Sequence, residues 1–227
     1  MQGILLVDKP ADWTSFDAVN YIRRLVATEE GKKPKNVKVG HSGTLDPFAT
    51  GLLILLVGKE YTRRASEFSK LDKTYEVTMM LGETSTTGDP EGEIMPVNGP
   101  EPTLDQVQAA LQQFVGEIEQ IPPAYSAIKI NGQRAYKLAR EGKEVVIEPR
   151  TIRINSLELT NYTYPAVKFK ADVSSGTYIR TLVEDLGQAL GSGAYTCQLR
   201  RTLVGEYNVS QALQPTAEHI LDSLVLQ

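Results

Sequence analysis

The stretch Gly40–Leu53, "GHSGTLDPFATGLL", decides how this chain is read. It runs into the apolar block "LLILLV", Leu52–Val57, which reads as a buried strand. Asp46 stands between Leu45 and Pro47 and is the only acid between Asn36 and Lys59. A carboxylate is poorly suited to apolar surroundings, and a surface turn has no need of so many small and apolar neighbours. The residues alone leave two roles open. Asp46 caps a turn ahead of a proline, where Asp is common, or it is a single reactive carboxylate. The usual glycosidase needs two carboxylates. A lone one suits covalent or proton-abstraction chemistry in which the leaving group stays bound. It must then be ionised in a partly dry pocket, with a cation close by. Arg180, in the first turn of the helix predicted from "GTYIRTLVEDLGQALG", is the candidate cation through an arginine–carboxylate fork.

Outward from that turn, the chain alternates between strand and helix patterns. "GILLVDKP" is a short strand stopped by Pro10. "TSFDAVNYIRRLVA" places Phe16, Val19, Ile22, Leu25 and Val26 at helical spacing behind a Thr14–Asp17 capping box. A short helix is predicted around Thr62–Ser69. "KTYEVTMML" alternates Tyr75, Val77, Met79 and Leu81, the period of a half-buried strand. Gly82–Pro102 reads as loop. "TLDQVQAALQQFV" is amphipathic on Leu104, Val107, Leu111, Phe114 and Val115, and "GQRAYKLAREG" is a short basic helix ended by glycine. "TIRINSLEL" and "AVKFKADVS" flank a turn at Tyr162–Pro165, and "AYTCQLRRTLVG" is the last strand. Residues from Ser210 onward read as helical in pieces. Strands in pairs, as well as alternating with helices, predict an α+β fold with a mixed sheet.

Composition narrows the function classes. The chain has 227 residues, 41% hydrophobic and 23% charged, with one Cys and two His. These proportions fit a globular protein, and Cys197 has no partner for an internal disulfide. No metal cluster is expected. The longest apolar block, Leu52–Val57, falls far short of the roughly 20 residues of a membrane span, and "MQGILLVDKPADW" does not read as a secretory signal. A cytoplasmic, reduced, soluble protein is expected. Net charge is −4, which alone argues against nucleic acid, but the charges are segregated. Glu83–Glu119 carries eight acids and no base, whereas Lys129–Arg153 carries seven bases against three acids. "KKPKNVK", Lys32–Lys38, forms a further basic group. Local potential rather than net charge governs phosphate binding, so an acidic chain can still present a basic face.

"GHSGTLDPFATGLL" resembles the catalytic motif of the TruB-type tRNA pseudouridine-55 synthases. "LLVDKPADWTSFD", "DKTYEVTMMLGETSTTGDPEGEI", "PPAYSAIKINGQRAYKLAREG" and "VSSGTYIRTLVEDLG…LRRT" resemble the same family in the same order, from Met1 to about Gly205. The resemblance implies a pseudouridine synthase fold: a mixed, largely antiparallel sheet flanked by helices, with a central RNA-binding cleft and a thumb-like insertion. It implies an isomerase that breaks the N1–C1′ bond of uridine 55 in the tRNA T-loop, turns the uracil and rejoins it through C5. Asp46 matches the catalytic aspartate, Tyr75 the tyrosine stacked on the target base, and Arg180 the arginine paired with the aspartate. Tyr178, Leu199 and Lys9–Pro10 match residues lining or bracing the pocket, and His41 matches a contact to the substrate loop. No cofactor is implied, no membrane, and no obligate protein partner; a monomer is the default expectation.

The same resemblance makes residues 1–227 one catalytic domain, with a mobile thumb at about 124–148. In it Lys129, Arg134, Lys137, Arg140 and Lys143 face phosphates. A PUA-type C-terminal module, common in the family, is not expected here. Two other classes fit the same residues: a non-catalytic chaperone of the T-arm, and a nucleoside hydrolase releasing free uracil.

Overall fold

A computed structural model describes residues 1–126, 128–130, 132–142 and 146–225. Along the chain run β1 (Gly3–Lys9), α1 (Ser15–Glu29), β2 (Val39–Ser42), β3 (Thr50–Val57), α2 (Lys59–Arg63), α3 (Ala65–Ser69) and β4 (Lys73–Leu81). There follow β5 (Glu83–Ser85), β6 (Ile94–Pro96), α4 (Leu104–Gln113), β7 (Gly116–Gln120), β8 (Lys129–Ile130), β9 (Gln133–Arg134) and α5 (Ala135–Arg140). The last elements are β10 (Arg150–Thr163), β11 (Ala166–Val173), α6 (Ile179–Ala189), β12 (Ala194–Val204) and β13 (Tyr207–Asn208), with short 3₁₀ turns at Val209–Gln211 and Ile220–Ser223. The fold is α+β: β1–β3, β2–β3, β7–β10, β10–β11 and β12–β13 pair antiparallel, and β12 meets β3 in parallel. The chain divides into two compact units, Met1–Glu76 with Leu199–Gln227, and Val77–Gln198. Strands β4 and β12 each contribute to both.

In the first unit β3 is the axis. β1 covers one of its edges from Lys9↔Gly51 to Gly3↔Val57. The other edge is shared: β2 takes the second half, Ser42↔Ile54 to Val39↔Val57, and β12 takes the beginning in parallel, Arg200↔Thr50 and Arg201↔Gly51. A strand with neighbours on both edges and cover on both faces must be apolar throughout, and every residue of β3 after Thr50 is buried. Ile4, Leu52, Ile54, Leu56, Tyr61, Phe68 and Val204 form one core cluster. Helix α1 begins at the expected capping box, with Thr14 Oγ accepting from the Asp17 N–H and the Asp17 carboxylate accepting from the Thr14 N–H. Its buried stripe is Ser15, Ala18, Val19, Ile22, Val26 and Ala27. Phe16 departs from expectation. It lies one residue off that stripe and is 58% exposed, with the Arg23 guanidinium over its ring. The single helix expected around Thr62–Ser69 is two, interrupted at Arg64.

The second unit is built on the β10–β11 hairpin, which turns at the cis Tyr164–Pro165 bond. β7 adds antiparallel to β10, Arg150↔Gln120 to Ile154↔Gly116, and α4 packs on β10. A Thr103–Gln106 capping box opens α4. Leu104 and Val115, expected on its apolar face, are exposed because they stand at the segment's two ends. Gly82–Pro102 is not all loop, since β5 and β6 pair there, Glu83↔Pro96 to Ser85↔Ile94.

Gly51 has β1 on one side and β12 on the other, at φ +101°, and an added Cβ would lie 2.3 Å from the Arg201 carbonyl oxygen. No side-chain movement relieves a clash with backbone. Gly51→Ala is expected to cost about 3 kcal/mol or more, which is roughly 6–12 °C of Tm for a chain of this size. Gly40→Ala, whose Cβ would meet only Thr62 Cγ2 at 3.5 Å, serves as control. Equal melting of the two variants by circular dichroism refutes this account of the β1–β3–β12 junction.

Candidate active site

Where β3 exchanges β2 for β12 as its neighbour, the chain makes the Gly43–Ala49 turn that carries Asp46. The turn is pinned residue by residue. Ser15, buried at the start of α1, accepts from the Leu45 N–H at 2.8 Å and donates to the Leu45 carbonyl at 3.0 Å. The Ala49 N–H donates to the Asp46 carbonyl at 3.2 Å, and the Asp12 N–H to the Pro47 carbonyl at 3.0 Å. Leu45 and Ala49 point into the core while Asp46 is half-buried between them.

Three buried cations surround this turn. Lys9 is fully buried, its Nζ donating to the carbonyls of Pro10 (2.8 Å), Trp13 (2.6 Å) and Pro47 (3.1 Å). Arg201, also fully buried, donates from Nε to the Leu52 carbonyl at 2.7 Å and from Nη2 to the Gly43 carbonyl at 3.0 Å. Lys73 donates to the Ser69 carbonyl at 3.0 Å, and its stem and the Arg201 guanidinium both lie beside Gly43. Buried cations are tolerable only when their donors are satisfied, and here backbone carbonyls do it. The remaining sequence-predicted residues of the first unit sit on its strands. Tyr75 is buried on β4, Leu199 is buried on β12, and His41 is half-buried on β2 opposite Leu55.

The second unit holds Tyr178 and Arg180. Tyr178 caps α6, and the Gln120 side-chain amide fixes its backbone on both sides: Tyr178 N–H to Gln120 Oε1 at 2.8 Å, Gln120 Nε2 to the Tyr178 carbonyl at 3.1 Å. Arg180 is buried, not solvated. It donates to the Thr87 carbonyl at 2.8 Å and the Tyr125 carbonyl at 2.9 Å, and it pairs with the Asp89 carboxylate at 3.3 Å. Asp89 is buried and in turn accepts from Thr87 Oγ1 at 2.6 Å and the Glu91 N–H at 3.0 Å. Burial raises the Glu184 carboxyl pKa, against the pull of the nearby Arg180 charge. Among the expected thumb residues, Lys137 is exposed on α5, and Lys129 and Arg134 are cross-strand neighbours in the β8–β9 hairpin. The side chains of Lys129, Arg134 and Arg140, and Lys143 as a whole, lie outside the described residues.

Residues 31–179 match the family model described as the N-terminal domain of TruB family pseudouridylate synthase, and residues 180–227 match the tRNA pseudouridylate synthase B C-terminal domain. The chain belongs to the TruB family. This family member is 46% identical over 213 residues to a tRNA pseudouridine synthase B of Parabacteroides distasonis, covering 93% of this chain and 89% of that one. It is 44% identical over 214 residues to the protein of that name from Opitutus terrae, covering 94% and 85%. A chain in the crystal structure of a Cbf5-Nop10-Gar1 complex superposes with a TM-score of 0.68 at 27% identity, over 93% of this chain and about half (51%) of that one.

Asp46, Tyr75, Arg180, Lys9, His41, Tyr178 and Leu199 are the positions that the family resemblance singles out. Arg201, Lys73, Asp89, Gln120 and Ser15, whose hydrogen bonds and ion pairs hold these segments, lie outside that set. The signal for Arg201 was present, since it stands two residues from Leu199 on a strand and therefore on the same face.

Burial of Lys73, with the Arg201 charge beside it, pushes its pKa from 10.5 down to about 8, against the opposing pull of Asp72. Lys9 is likewise lowered to about 8, burial outweighing the attraction of Asp46 and Asp12. Between about pH 8 and 10.5 the unfolded chain therefore binds more protons at these lysines than the folded one, and their contribution to stability rises with pH. In urea unfolding, the stability of the wild type relative to Lys73→Met is expected to grow between pH 7.5 and 9.5, by up to about 2 kcal/mol. A constant difference, or one shrinking with pH, contradicts the assignment.

Proposed function

We propose that this chain converts uridine 55 in the T-arm of tRNA to pseudouridine. The observation that carries the reading is Asp46, held half-buried in a turn braced by Lys9 and Arg201, in a chain matched by TruB-family models from residue 31 to residue 227. Isomerisation needs no co-reactant, because atoms and electrons balance within the nucleoside. The N1–C1′ bond breaks, C5 bonds to C1′, the C5 proton departs and N1 gains one. What the protein must supply is position. The target base leaves its stack at a cost of a few kcal/mol, and stacking on Tyr75 returns roughly 1–3 kcal/mol of it. Asp46 acts on the exposed ribose or base, while confinement keeps the freed uracil beside C1′, so that rejoining is effectively unimolecular.

In this reading the likeness to the family assigns Arg180 and Asp46 to the same nucleotide, with Tyr178, Leu199 and His41 around it and Lys9 bracing. Segment 124–148 is the thumb, its Lys129, Arg134 and Lys137 meeting RNA phosphates, and recognition follows the shape of the T-arm. The substrate puts the protein in the cytoplasm, and it acts as a monomer with no protein partner.

Incubation of T-arm RNA with wild type yields pseudouridine at position 55, whereas Asp46→Asn yields none. Product from the variant, or none from wild type, overturns the reading. Free uracil identifies a hydrolase instead, and refolded RNA without product identifies a chaperone. Reversing Lys129 and Lys137 to Glu together is expected to flatten the log K against log salt plot by about 1.5, two phosphate contacts at 0.7–0.9 each. An unchanged slope removes the thumb assignment.

A further inference from the structure

Arg201 is buried at the point where β3 and β12 run parallel, and its guanidinium reaches two carbonyls nine residues apart in the chain: Gly43 at 3.0 Å and Leu52 at 2.7 Å. Those carbonyls are the two ends of the segment that contains Asp46. One planar group thus closes the neck of the loop, and Gly51 is bare because the Arg201 backbone lies against it. Inside the neck, Lys9 holds Pro47 and Ser15 holds Leu45, so the residues on either side of Asp46 are fixed separately. Without these ties a ten-residue segment would let the acid wander by ångströms.

We propose that Arg201 is a positioning residue for Asp46, acting as a guanidinium clamp across the neck of the Gly43–Leu52 loop. The role rests on the reading of Asp46 as the reactive acid. It depends on the fork and not on charge alone, because the two donors leave one guanidinium edge in fixed relation whereas an ammonium is a point donor. Arg201→Lys keeps the charge and loses the span.

Displacement of a reacting group by about 1 Å costs on the order of 100-fold in rate. Arg201→Lys is therefore expected to lower kcat for T-arm pseudouridine formation about 100-fold, with KM and the RNA Kd within about twofold of wild type. Amide hydrogen exchange should accelerate at Thr44–Thr50 and stay unchanged in β10 and β11. Unchanged kcat overturns the proposal, and so does a kcat loss without faster exchange in the loop, or with faster exchange throughout the chain. If the variant does not fold, wild type decides. A clamped loop exchanges its Leu45 and Ala49 amides as slowly as Arg200 and Thr202 in β12, and exchange tenfold or more faster there overturns the clamp. That measurement needs no substrate. It therefore judges the clamp even if wild type makes no pseudouridine, the result that would sink the functional reading itself.

Discussion

The structure around Asp46 depends on cations removed from water and satisfied by backbone carbonyls. Moving a charge into a protein interior costs several kcal/mol even after relaxation, and each hydrogen bond from a charged group returns about 1.5–3 kcal/mol. Lys9 recovers that cost only with three carbonyls converging on its Nζ, and Arg201 only with Leu52 and Gly43 both in reach. The dependence runs both ways. The turn must hold its shape for the cations to be satisfied, and the satisfied cations hold the turn. The loop is held by side-chain donors where a strand would be held by a ladder.

Much of this could be read from the amino-acid sequence. The residues around Asp46 leave a turn cap and a reactive acid both open, and the resemblance of "GHSGTLDPFATGLL" to a family motif is what singles it out, while the alternation of "KTYEVTMML" puts Tyr75 on the buried face, where it lies. The capping box at Thr14 fixed the start of α1 to the residue. What escaped had no periodic signature. Three-residue strands such as β5 and β6 are too short to show a period, so Gly82–Pro102 read as loop. The break between α2 and α3 falls at Arg64, with neither glycine nor proline to announce it. Phe16 fits i, i+3 spacing with Val19 as well as any core residue, and only the stripe Ser15–Val19–Ile22–Val26 shows that it lies outside.

The charged residues escaped for a different reason. A base in an exposed strand and a base in a buried one look alike in composition. "LRRT" contains one of each: Arg200 forks onto the Asp8 carboxylate at 2.8 and 3.0 Å, whereas Arg201 points the other way into the core. Alternation predicts that the two differ but cannot say which is inside until Leu199 is known to be buried. Asp89 was hidden similarly, within a run of acids that read as solvated loop, although its carboxylate is buried against Arg180 and Thr87.

Satisfaction by carbonyls rather than by carboxylates has a consequence for the acid. A cation neutralised by its own carboxylate presents a small dipole and little field beyond it. A cation whose hydrogen bonds go to neutral carbonyls keeps its full charge, undiminished at the short distances where a low local dielectric makes charge count most. Lys9 feels Asp46 through that field: the attraction of the acid is the largest effect opposing the burial that drives the lysine toward its neutral form. The turn therefore keeps the Lys9 charge within reach of Asp46.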